Sequence, residues 1–237
     1  RLVGSEMCIR DSSYARQVVE QTNLLEERYK SHTETRELFS VSSQHYAFVV
    51  NAFVSLLKRA DMTRYELFLR ETRTYEIIED VKNFRSEIGV LFLNSYNRDV
   101  LTKMFDDNRL TYTSLFKARP HIFVSKSNPL AKHEVVSLED LEDFPYLSYD
   151  QGIHNSFYYS EEILSQIPHK KSIVVSDRAT LFNLLIGLDG YTIATGILNS
   201  NLNGDNIVSI PLDIDDEIDI VYLKHEKATL SKMGEKF

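Results

Sequence analysis

The sequence predicts an α/β protein of two lobes, each a mainly parallel sheet flanked by helices. Three observations carry this. From Glu37 to Asn108, strand-like and helix-like segments alternate three times, the order that builds a parallel sheet through right-handed crossovers. A second set of the same kind begins after Pro120 and runs to the end of the chain. No Gly/Ser linker separates the two sets, so the lobes are expected to exchange strands and hold something in the cleft between them.

The elements follow in order. "RLVGSEMCIRDS", residues 1–12, has no periodicity and resembles translated adapter sequence, so it is expected to be non-native. "SYARQVVEQTNLLEERYK" places Tyr14, Val18, Leu25 and Tyr29 at helical spacing. That stripe either packs on the following domain or pairs with a second copy. "SHTETRE" is a polar linker. "ELFSV" reads as a strand, 45–60 as a helix, "YELFLRE" as a strand and "YEIIEDVKN" as a helix. "EIGVLFL" is a near-continuous apolar run, as a buried parallel strand requires. "NRDVLTKMFDDN" is a helix, and "LTYTSLFKA" and "PHIFVS" are strands.

In the second set, "SLEDLEDFP" is a short acidic helix ended by Pro145 and "PYLSY" a strand. "YYSEEILSQI" reads as a helix, "KSIVVS" as a strand and "RATLFNLLIGL" as a helix. "GYTIATG", "NIVSIPL" and "EIDIVYLKH" are the last strands. "KATLSKMGEKF" begins like a helix and stops without a cap, so the chain reads as a fragment of a longer gene product.

Composition limits the function classes. Of the 237 residues, 43% are hydrophobic and 26% charged, an ordinary globular balance. The net charge of −8 argues against wrapping nucleic acid. No apolar run reaches the length of a membrane span. Cys8 is the only cysteine, so no disulfide framework is expected and a cytoplasmic location is.

Recognisable chemistry is sparse. No glycine-rich phosphate loop is present. The seven histidines are dispersed without metal-ligand spacing. Neither a cofactor nor a metal is expected. His45, His154 and Asp177 could meet in a cleft, but no nucleophile or carboxylate pair accompanies them. They read as surface or hinge histidines and a helix N-cap. No enzyme is expected.

The strand-to-helix corners are richer. Ser42, Ser43, Gln44 and His45 follow the first strand, and Glu71, Thr72, Arg73 and Thr74 the second. Asn94 and Ser95 follow the third. Ser148, Tyr149, Gln151 and Thr195 repeat the theme in the second set. In a parallel α/β sheet these fall at the carboxyl ends of the strands, where such sheets bind ligands. Ser43, Thr74 and Ser95 have a second reading as helix N-caps.

Residues 14–237 resemble the effector-binding domain of LysR-type transcriptional regulators. "YARQVVEQ" is similar to the end of that family's dimerising linker helix, and "FSVSS" to its first effector-domain strand and polar turn. "LFKARPHIFVSKSNPLA" resembles the crossover into the second lobe, "VSLEDLEDFPYL" the segment after it, and "LIGLDGYTIATG" a late strand that here ends in Thr-Gly.

The resemblance implies a two-lobed periplasmic-binding-protein-like (type II) fold joined by two crossover strands, near 119–125 and 217–224. The expected division is a linker helix at 13–35, lobe I at 36–119 plus 222–237, and lobe II at 120–221. The implied function is sensing of a small polar or anionic metabolite in the inter-lobe cleft, which shifts the conformation of a homodimer or homotetramer. DNA would be bound only through a winged helix-turn-helix domain missing from this chain. The expected effector contacts are Ser42, Ser43, Thr72, Ser148, Tyr149 and Thr195, so that Ser43→Ala and Thr195→Val should weaken binding several-fold. The alternative is the solute-binding protein of a transport system with the same fold.

Overall fold

A computed structural model describes residues 37–60, 64–198 and 204–237, together with the helical residues Val19 and Thr22. The helix expected over 13–30 otherwise lies outside the described residues, as do the segment 1–12 and the linker. The chain forms two compact units, residues 1–38 with 61–67, and residues 39–60 with 68–237. In the first unit, the Glu37 N–H donates to the Arg64 carbonyl at 3.1 Å. The second unit carries most of both sheets and every side chain of the candidate site.

The strands of the first sheet are β1 (Glu37–Ser43), β2 (Tyr65–Glu71), β3 (Ile88–Leu93), β4 (Leu110–Ala118) and β10 (Ile218–His225). Their order is β2-β1-β3-β10-β4. The second sheet is built from β5 (His121–Ser125), β6 (Tyr146–Tyr149), β7 (Ser172–Val175), β8 (Tyr191–Ala194) and β9 (Ile207–Pro211). Its order is β7-β6-β8-β5-β9. Helices α1 (Ala47–Arg59), α2 (Thr74–Lys82) and α3 (Arg98–Asp107) connect the early strands; α4 (Arg178–Leu188) and α5 (Lys232–Lys236) come later.

Sequence pattern explains most of this. β3 is buried at every position, as its unbroken apolar run requires, and it pairs in parallel with β1. α2 can press against β3 because Gly89 has no side chain; a Cβ there would meet Ile77 at 2.8 Å and Val81 at 2.9 Å. Ile77, Val81, Leu91, Leu101, Phe105 and Leu223 meet in the first core. Phe123, Leu147, Leu181 and Leu185 anchor the second. Asp177 caps α4 as expected, accepting the Thr180 N–H at 2.8 Å.

The first connection between the sheets falls at 119–120, within the range the resemblance implies; the second runs from Pro211 to Ile218, just before the expected 217–224. Only Arg119 and Pro120 separate β4 from β5, and β10 returns to run antiparallel to both β3 and β4. β5 is likewise antiparallel to its neighbours β8 and β9, while β6 pairs in parallel with β7 and β8. β10 lies in the first sheet from Ile218 onward. The division expected between 221 and 222 therefore falls inside a strand.

Two expected helices are absent. Residues 137–145 form only a 3-10 turn at Glu139–Leu141. The Asp140 carboxylate accepts from both the N–H and the hydroxyl of Ser137, which closes the turn tightly before Pro145. Residues 158–167 hold no α-helix either; a 3-10 turn spans Phe157–Tyr159, and Leu164 has φ 61°. Here Glu161 and Glu162 turn inward to meet backbone N–H groups of other elements instead of facing solvent.

Candidate functional site

The corner after β1 is the starting point. Gln44 is fully buried and ties three elements together. Its Nε2 donates to Thr74 Oγ1 at 2.6 Å; its Oε1 accepts from Tyr46 Oη at 2.6 Å and from the Phe92 N–H at 3.1 Å. His45 follows, pointing toward the second-sheet half. Its N–H donates to Glu161 Oε2 at 2.8 Å, and its Nδ1 lies 2.9 Å from the same oxygen. Its ring stacks on Tyr149, with centroids 4.1 Å apart and planes at 9°.

Residues 150–163, between β6 and β7, form a strap that reaches the first-sheet half along its length. Arg73 Nη2 donates to Asp150 Oδ2 at 2.6 Å and its Nε to the Asp150 carbonyl at 3.1 Å. Gly152 makes room for that guanidinium, since a Cβ there would sit 2.8 Å from Nη1. Gln151 accepts from the Thr74 N–H and donates to Glu161. His154 stacks on Tyr75, Tyr158 on Tyr96, and the Tyr159 hydroxyl reaches Met104. Beside the strap, Arg178 of α4 pairs with Glu71 at the end of β2, 3.1 Å apart.

Behind this strap is a cavity of about 40 Å³, enough for a few waters on the scale where one needs roughly 10–15 Å³. Its polar lining includes His45, Tyr149, Glu161, Glu162, Thr192 and Thr195; Phe48, Phe92 and Phe123 supply apolar walls. No Lys or Arg borders it.

The electrostatics are unusual. Glu162 is buried; its Oε1 accepts the Tyr149 N–H at 2.9 Å, and its Oε2 has no partner. Burial, with repulsion from Glu161, holds its carboxyl well above the ordinary carboxylate range. Burial pulls the His45 pKa down, but hydrogen bonding and charge attraction from Glu161 carry it above its usual value. Burial raises Glu71, partly offset by Arg178.

The six expected contacts are distributed as follows. Tyr149 and Thr195 line the cavity. Ser148 lies in β6 opposite Val174. Ser42 is fully buried elsewhere, donating to Asp80 Oδ2 at 2.7 Å with its Oγ 2.7 Å from Ser86 Oγ. The Ser43 hydroxyl is buried without a partner, and its carbonyl accepts the Thr72 N–H. The Thr72 hydroxyl donates to Glu76 in the first turn of α2. These four do not border the cavity.

His45, His154 and Asp177 have three different partners, namely Glu161, the Tyr75 ring and Thr180. Sequence reasoning missed Glu161 and Glu162 because it placed them in a helix. The one available signal was an adjacent acidic pair between Tyr158-Tyr159 and Ile163-Leu164. Among the described residues no group of His, Cys, Asp and Glu could hold a metal ion. No described helix is long and apolar enough to cross a membrane.

Comparison with known proteins agrees with this architecture. The family model for the LysR substrate binding domain matches residues 42–236. Full-length CbnR in complex with its target DNA is similar in structure, with a TM-score of 0.62 at 12% identity, over 94% of this chain and 76% of that one. The BenM effector binding domain with its effector benzoate gives 0.57 at 16% identity, over 86% and 89%. HinK, a LysR family transcriptional regulator from Pseudomonas aeruginosa, gives 0.56 at 13% identity, over 97% and 77%. No curated protein sequence matches the chain. The matched domain and the two-sheet architecture with its strap-closed cleft lead to one conclusion: this chain belongs to the LysR family of transcriptional regulators and comprises its effector-sensing, substrate-binding domain.

Proposed function

We propose that a small polar metabolite binds in the cleft against Tyr149, Thr192 and Thr195, and that its binding shifts the balance between closed and open arrangements of the two halves. The observation that carries this reading is Glu162, which lines the cavity and whose Oε2 is buried without a partner. Such an atom loses its hydration without replacement, and a solute hydroxyl or amine would satisfy it. Glu161 on the wall favours a neutral or cationic solute. A carboxylate such as the benzoate bound by BenM would meet the Glu161 carboxylate with no Lys or Arg beside it.

The mechanism follows from size. A metabolite larger than the 40 Å³ cavity enters only when the cross-links His45–Glu161, Arg73–Asp150 and Glu71–Arg178 relax. A solute that binds the relaxed arrangement more tightly pulls the population toward it. In the whole regulator we place this change in a cytoplasmic homodimer or homotetramer, joined through the helix at 13–35 and acting on DNA through a winged helix-turn-helix domain. The reading calls for neither metal nor cofactor.

The test is a metabolite panel screened by thermal shift, followed by calorimetry of the best binder with Thr195→Val. Loss of one neutral hydrogen bond costs about 1 kcal/mol, so affinity should fall several-fold while the unliganded melting temperature stays near the parent value. Unchanged affinity would move the site away from this wall.

A further inference from the structure

We propose a second ligand site, inside the second-sheet half, that takes an uncharged single-ring phenol. A cavity of about 200 Å³ lies between the 138–144 turn and the 164–170 segment. It shares only Ile193 with the cleft described above. Leu141, Phe144, Leu164 and Ile167 form apolar walls, and His169 and Tyr191 supply a polar edge. An apolar cavity of roughly 150 Å³ accommodates benzene, so one ring with a small substituent matches the space.

The polar edge specifies the substituent. His169 Nδ1 lies 3.1 Å from the Tyr191 hydroxyl, which leaves Nε2 for another partner. That Nε2 is buried and has none. The His169 ring stacks on Tyr146, centroids 3.8 Å apart, and the Tyr146 hydroxyl is also buried without a partner. Burial lowers the His169 pKa, which favours the neutral ring. Whichever tautomer the Tyr191 contact selects, a hydroxyl can complement Nε2, because it both donates and accepts. A carboxylate is disfavoured: Glu139 and Glu142 are in the lining, and Lys170 is already paired to Glu142 at 2.5 Å.

The test uses phenol, toluene and benzoate at millimolar concentration on the whole chain, with thermal shift, calorimetry and NMR of the histidine rings. Phenol should raise the melting temperature, bind roughly fivefold more tightly than toluene, the worth of one hydrogen bond, and shift the His169 ring signals. Benzoate should do none of these. His169→Phe keeps the stack on Tyr146 and should bring phenol and toluene to parity. Ile167→Trp should block both, and Thr195→Val should leave phenol binding intact. Absence of phenol binding to the parent chain, equal affinity for phenol and toluene there, or movement of other histidine signals but not His169 would overturn the site. The wild-type measurements decide even where a variant folds poorly.

Discussion

Two buried polar clusters flank the start of the first sheet, and they differ in one respect. Behind β1, Asp80 collects Ser42 and Arg85 at 2.7 and 2.9 Å, and Ser42 also meets Ser86. In the cleft, Glu161 is fully engaged by His45 and Gln151, but Glu162 beside it keeps an oxygen without a partner. Both clusters sit where a strand hands over to the next element, and both are rich in hydroxyls and carboxylates. The closed cluster has its polar atoms paired, whereas the open one leaves an oxygen unpaired, which is why we propose the solute there. Residue type does not separate the two clusters; an unpartnered oxygen on a cavity-lining residue does.

The contrast can be broken most forcefully at Asp80. Asp80→Ala strips the closed cluster of its acceptor, leaving Ser42 and Arg85 without their shared partner. Stability should fall by about 2–3 kcal/mol, read by urea denaturation, with metabolite affinity unchanged in the protein that remains folded.

A smaller effect should appear with pH. Folded Glu162 and His45 both hold protons more tightly than the unfolded chain does. The Glu162 contribution is complete below its unfolded pKa, near 4.3, and that of His45 below about 6.5. Each is lost as pH rises through the corresponding folded value. Stability should therefore decline as pH is raised from about 5 to 8, and Glu162→Gln should flatten that decline. A rising stability curve over this range would contradict the assignment.

The smallest effect is expected at Ser43. Its hydroxyl is buried without a partner, so Ser43→Ala removes an uncompensated group. Thermal melting should show no loss, or a gain of up to about 1 kcal/mol, and binding should not change. The sequence alone suggested weaker binding, so this variant separates the corner from the cleft.

The fold was largely legible because period and punctuation coincide with it. The apolar run 88–93 becomes a fully buried strand, and Asp177 caps the helix it precedes. Tyr149 and Thr195 border the cavity because they stand at strand ends, which in α/β sheets face clefts. Glu161 and Glu162 were not legible, because their burial depends on N–H groups of His45 and Tyr149, over a hundred residues away for one and across a turn for the other. Helical spacing around Tyr158–Ile167 suggests a helix, but the strap's stacking on Tyr75 and Tyr96 overrides that local preference. Ser42 had the right residue type at the right corner, yet the alternation of β1 turns it toward Asp80.

Hydrogen exchange with and without the tightest binder of the metabolite panel tests the central claim most directly. The account predicts altered protection at the cavity wall and strap: the Tyr149 N–H held by Glu162, the His45 N–H held by Glu161, and residues 192–195. Protection changes confined to Ser42, Ser86 and the start of α2, with the strap and residues 192–195 unaffected, would contradict it and return the site to the corner behind β1.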